Sequence, residues 1–210
     1  MRKIYVLISL LSLSLSVWAQ SKGNIEFGLM VGYNSSTVST SDNFGDEPDT
    51  YSNFNAGASA DFYFSDRWSI KVKGLYDGKG FSKAIVTLPE GDFVTDVKLN
   101  YITVPVMANW HFGSKRNWYL NFGPYVGFLI AAKETRFNID LKENFKSTDA
   151  GLAFGIGVKI PVSDKLRIFF EFDGQGGFSN ILKNKYEDDD YGAEVSTVRS
   201  AFNLGINFML

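Results

Sequence analysis

From Asn24 onward, hydrophobic and polar residues alternate with period two through eight separate segments. That period sends successive side chains to opposite faces of an extended strand, whereas an amphipathic helix repeats every 3.6 residues. Ile25, Phe27, Leu29, Val31 and Tyr33 set the pattern, and Phe54 to Phe64, Trp68 to Tyr76, Ala150 to Ile160, Leu166 to Phe172 and Val198 to Leu210 repeat it. The fifth segment runs Trp118, Leu120, Phe122, Pro124, Val126, Phe128, Ile130 and Ala132. In the fourth, Val97, Leu99 and Tyr101 give way to Ile102, Val104, Val106, Ala108, Trp110 and Phe112. A one-residue change of phase predicts a β-bulge there, close to Pro105, which cannot donate to a ladder.

The apolar phase carries no charge, and the other phase carries glycines, small polar residues and eleven charges. These are Lys71, Lys73, Lys98, Lys159, Arg167 and Arg199 against Glu26, Asp61, Asp77, Glu171 and Asp173. Connections at 65–67, 113–117 and 161–164 are short, and those at 35–52, 80–96, 133–148 and 178–196 are long and polar. Short turns at one end and long loops at the other predict an all-β, eight-stranded antiparallel up-and-down transmembrane β-barrel. Its polar phase lines the lumen as a charge network.

A lipocalin would turn the same alternation inside out, hiding the apolar face and wetting the polar one. Aromatic placement argues for the membrane. Trp68, Trp110 and Trp118 fall beside the short turns, and Phe208 at the chain end shares their level, as an interfacial girdle requires. A mean hydropathy of -0.07 hides this order, because it averages the two phases.

Met1-Arg2-Lys3 followed by an apolar run and Val17-Trp18-Ala19 reads as a cleaved signal peptide over 1–19, leaving a barrel domain over 20–210. With no cysteine, disulfides and thiolate metal sites are excluded. A net charge of -2 gives no electrostatic case for nucleic acid. The last residues, Asn203-x-Gly205-x-x-Phe208-x-Leu210, look like the C-terminal signal read by the barrel assembly machinery.

Leu99-Asn100-Tyr101-Ile102-Thr103-Val104-Pro105-Val106 resembles a Tyr-Leu-x-Ile-Pro strand, and Phe122-Gly123-Pro124-Tyr125-Val126-Gly127 fits beside it. With Asp149-Ala150-Gly151, Gly155-Ile156-Gly157 and Gly177-Phe178-Ser179-Asn180-Ile181, the chain resembles the outer-membrane β-barrel domain proteins of Bacteroidota, the porin-family or PorT-like type. The resemblance implies fold and compartment, the outer membrane of a Gram-negative bacterium; the short turns and long loops predict both termini in the periplasm. It departs at Phe169-Phe170, where relatives carry an Arg-Tyr pair, so an inward arginine is missing at Phe169.

Catalytic chemistry finds little support. His111 is the sole histidine and no nucleophile motif accompanies it, so neither an enzyme nor a metal or cofactor site is expected. Acidic residues Asp42, Asp46, Glu47, Asp49 and Glu187 to Asp190 read as solvated loop charge. Eight strands leave a lumen barely wide enough for its own side chains. The expected function is therefore a barrel closed to bulk solute that presents loops for surface interaction or envelope support. A narrow porin-like channel and an accessory role in protein secretion are the rival readings. The expected partners are outer-membrane lipid and lipopolysaccharide, the assembly machinery during insertion, and an extracellular or envelope protein whose identity the residues do not give.

Overall fold

A computed structural model describes residues 23–40, 48–88, 91–183 and 194–210. The expected signal peptide and the acidic clusters at Asp42, Asp46, Glu47 and Glu187 to Asp190 lie outside the described residues. Eight strands follow in chain order: β1 (Ile25–Thr40), β2 (Asp49–Tyr63), β3 (Trp68–Leu88), β4 (Gly91–Phe112), β5 (Trp118–Glu134), β6 (Thr148–Pro161), β7 (Leu166–Gly177) and β8 (Val195–Met209). Each pairs antiparallel with its neighbour, and β1 pairs with β8, so the sheet closes on itself and the barrel wall has no edge. No helix among the described residues is long and apolar enough to cross a membrane.

The three turns of the short end are built locally. Ser65 Oγ accepts the backbone N–H groups of Arg67 and Trp68, and Ser163 Oγ accepts that of Leu166. Gly113 and Arg116 take positive φ values of 85° and 53°, which reverse the chain between β4 and β5.

Alternation then decides which side chains face out. Leu29 is 57% exposed and Val31 61%, while their neighbours Glu26, Met30 and Asn34 are buried. The outward apolar stretch of β1 runs from Ile25 to Tyr33 and gives way to Ser35, Thr37 and Ser39. On β4 it runs from Trp110 to Ile102 and gives way to Asn100, Lys98 and Asp96. These bands match the roughly nine to eleven residues with which a tilted strand spans a bilayer. Above them the strands continue as a polar extension.

Three expectations are corrected. The expected bulge is on β5: Asn100 faces Ala131 but Tyr101 faces Leu129, so Ile130 is the extra residue. β4 keeps a single phase, and its odd-numbered residues from Thr95 to His111 are all buried. Val97, Leu99 and Tyr101 therefore point inward despite their hydrophobicity, and Ala132 joins them after the β5 bulge. The same single phase puts Lys98 on the outer face with Ile102, so it does not belong to the lumen network. It sits above the apolar band, where its ammonium can reach water or headgroups. Finally, much of the expected loop at 80–96 is strand, because a two-stranded ribbon needs no apolar face to keep its ladder.

Candidate functional site: the lumen and its cap

Among the described residues, chemically active side chains converge in the barrel interior. Near the turns, Glu26 receives Lys159 and Arg167, each at 2.7 Å, and Asn207 Nδ2 at 2.5 Å. Asp61 lies beside it, held by Ser69 Oγ at 2.7 Å, Asn109 Nδ2 at 3.0 Å, Lys159 at 3.3 Å and Lys71 at 3.4 Å. One level up, Lys73 pairs with Glu171 and, at 3.2 Å, with Asp173, while Asn121 donates to Glu171. Arg199 then links Asp173 to Asp77, its Nε 2.8 Å from Asp77 Oδ1, and Asn203 donates to Asp173. Ten of the eleven expected lumen charges thus meet in one connected set.

Sequence reasoning missed a further pair. Lys79 Nζ lies 2.9 Å from Asp149 Oδ2, which also accepts the hydroxyls of Thr197 at 2.7 Å and Tyr125 at 3.2 Å. Both residues fall where the hydrophobic alternation lapses, so only charge complementarity could have flagged them. With them, six cations (Lys71, Lys73, Lys79, Lys159, Arg167, Arg199) are ion-paired with six anions (Glu26, Asp61, Asp77, Asp149, Glu171, Asp173), while buried Glu134 stands apart, bonded by the Thr95 hydroxyl and the backbone N–H groups of Arg136 and Phe137. An isolated buried charge costs several kcal/mol, so a neutral, densely bonded set is the arrangement a narrow lumen tolerates.

Above Asp149 the interior becomes apolar. Val38, Val97, Leu99, Tyr101, Leu129, Ala132, Phe145, Ile181 and Val195 form one buried cluster. Phe145 and Ile181 come from the two connections after β5 and β7, which turn back over the barrel mouth. Ile181 N–H bonds Val195 O at 2.8 Å, Lys146 N–H bonds Ile181 O at 2.7 Å, and Lys183 N–H bonds Asn144 O at 3.0 Å. These backbone bonds fasten the two segments to each other and to β8. The lumen is a polar floor under a hydrophobic lid.

His111 does not build a nucleophile. Its Nε2 is 3.0 Å from Ser69 Oγ, and the Ser69 hydroxyl donates to Asp61. The serine spends its proton on the carboxylate, and both residues are buried. The described residues hold no cluster of three or more His, Cys, Asp or Glu suited to a metal ion.

Trp68 stands directly across from Trp110, with ring centroids 6.3 Å apart, and Phe112 bridges Trp110 to Trp118 at 5.0 and 6.5 Å. Phe208 faces outward across from Phe27 and Leu166 at the same end. Leu210 is 74% exposed, and its N–H bonds Ile25 O. Gly205 has a packing reason of its own: a Cβ there would stand 2.5 Å from the ring of Phe169. Phe169 fills the space between Met30, Leu75 and Gly205, where an inward arginine would have added an unmatched charge to the neutral set.

Residues 18–183 match the model of the family described as outer membrane protein beta-barrel domain. No curated protein matches the chain. Among solved structures, OprG of Pseudomonas aeruginosa aligns over 90% of this chain and 96% of its own, at 12% identity and a TM-score of 0.55. Neisserial surface protein A (NspA) aligns over 87% and 96%, at 15% identity and a TM-score of 0.52. Ail of Yersinia pestis, solved with the heparin analogue sucrose octasulfate, aligns over 89% and 99% at 16% identity and a TM-score of 0.44. At these identities the likeness of OprG and NspA is one of fold. The outward apolar band, the closed eight-strand sheet and the family match agree: the chain belongs to the outer membrane protein beta-barrel domain family and resides in a Gram-negative outer membrane.

Proposed function

We propose that this protein is a non-catalytic barrel, closed to bulk solute, that presents its long-loop end for surface interaction or envelope support. One observation carries the reading: the six-against-six charge network fills the lumen beneath a lid made by Phe145 and Ile181. An aqueous channel normally needs about twice as many strands. The burial of Ser69 and His111, and the hydroxyl's donation to Asp61, support the absence of catalysis.

In this reading residues 1–19 are removed on export, and the barrel domain occupies 20–210. The short turns and both termini lie in the periplasm, as the asymmetry of turn and loop lengths supports. Asn203, Gly205, Phe208 and Leu210 present the C-terminal strand to the barrel assembly machinery, and the exposed apolar band meets lipid and lipopolysaccharide. The test is single-channel recording of purified protein in planar bilayers. A flat baseline is expected, and discrete conductance steps would favour the narrow channel instead.

A further inference from the structure

At the turn end, below the network, the lumen widens into a half-enclosed cavity of about 530 Å³. Its walls come from the first two turns and from the ends of β6 and β7, and Phe64, Pro161 and Met209 supply apolar surface. The polar lining is cationic. Lys159 is spent on Glu26, Asp61 and the Tyr63 hydroxyl. Arg116 is tied at 3.0 Å to Asp66, the only acidic residue among the described lining residues.

Two cations keep capacity in reserve. Arg167 engages Glu26 through Nη1 alone, and its side chain retains 29% exposure beside the cavity. Lys115 has no ion-pair partner among the described residues. A guanidinium carries five N–H donors in a planar fork that matches an oxyanion, so most of Arg167's donors remain for a ligand. Cations at the mouth of a low-dielectric cleft also concentrate anions there. A cavity of several hundred Å³ with apolar walls and a few convergent polar groups has the usual form of a small-molecule site.

We infer that this cavity binds a small molecule bearing a phosphate or carboxylate. Arg167 and Lys115 hold the anionic group, and the Phe64, Pro161 and Met209 surface takes the uncharged part. Because the lumen above is filled, the ligand enters and leaves by the turn end. The site does not depend on whether the barrel conducts.

The experiment is an NMR titration of the full folded chain in uncharged micelles with pyrophosphate at constant ionic strength. Saturable shifts confined to the amides of 63–67, 111–117 and 159–167 are expected. Arg167→Gln should weaken the apparent affinity about tenfold or more, the worth of one charge-assisted contact. Lys115→Gln, on an exposed turn that leaves the fold alone, should weaken it severalfold and carries the test if the arginine variant does not refold. A second arm places the protein in nanodiscs with and without an anionic phospholipid. The same amides moving only with that lipid would identify a membrane headgroup as the source of the phosphate. Shifts that do not saturate, no shifts with either source, or affinities unchanged in both variants would overturn the assignment.

Discussion

Glu26 and Asp61 stand directly opposite each other across β1 and β2, both fully buried, and the ammonium of Lys159 bridges them from the far wall at 2.7 and 3.3 Å. Like charges facing each other across a strand pair normally destabilise it. Here closure of the sheet brings β6 over the pair, and the repulsion becomes a shared attraction to one cation.

Lys159→Gln should therefore be costly, because Lys71 and Arg167 each reach only one of the two carboxylates. Removing one partner from a buried ionic set is worth about 3–5 kcal/mol. Urea unfolding of the refolded barrel in detergent, followed by tryptophan fluorescence, should show a clear fall in midpoint. An unchanged midpoint would mean that water already screens the pair.

Lys98 and Lys73 should behave oppositely although they share a phase in the sequence. Lys98→Met on the outer face should change stability by less than about 0.5 kcal/mol. Lys73→Met leaves Glu171 paired with only the Lys71 ammonium at 3.9 Å and Asp173 paired with Arg199 alone, and should cost several kcal/mol. Comparable losses in the same unfolding assay would return Lys98 to the lumen.

Gly205→Ala should destabilise the purified protein without any assembly machinery present, since the new methyl meets both the Phe169 ring and the Leu29 carbonyl oxygen. Adding Phe169→Ala should recover only part of the loss, because the carbonyl stays in place. If the single variant refolds with wild-type stability and fails only in cells, Gly205 acts through recognition alone.

Ile181→Asp should loosen the lid without opening a pore. Faster amide hydrogen exchange is expected at Val97, Leu99 and Val195, which pack against Ile181 in the same cluster, while planar-bilayer conductance stays at baseline. Conductance in this variant would show that the polar floor does not seal by itself.

Trp68, Trp110 and Trp118 stack beside the turns at one depth, so lipids brominated near the headgroup should quench their fluorescence more than lipids brominated at the chain ends. Stronger quenching by the deep label would displace the girdle from the interface.

Strand number, antiparallel order, the two kinds of connection and most of the lumen charges were legible in the residues alone. Period two is a local property, and a lipid-facing band cannot carry a charge, so β1 or β6 announces its own sides. Hydrophobicity by itself could not say which way Val97, Leu99, Tyr101 and Ala132 point. Outside the membrane band an apolar side chain can be buried inward as readily as outward. Two loops arriving from distant parts of the chain, with Phe145 and Ile181, settle the matter. The Lys79–Asp149 contact and the bridging role of Lys159 were likewise out of reach, because ring closure alone sets strands 70 to 133 residues apart face to face. The sequence by itself determined a barrel with a polar lumen; only the tertiary structure decided which charges pair across it and that Phe145 and Ile181 pack into the interior above them, because ring closure brings distant strands face to face.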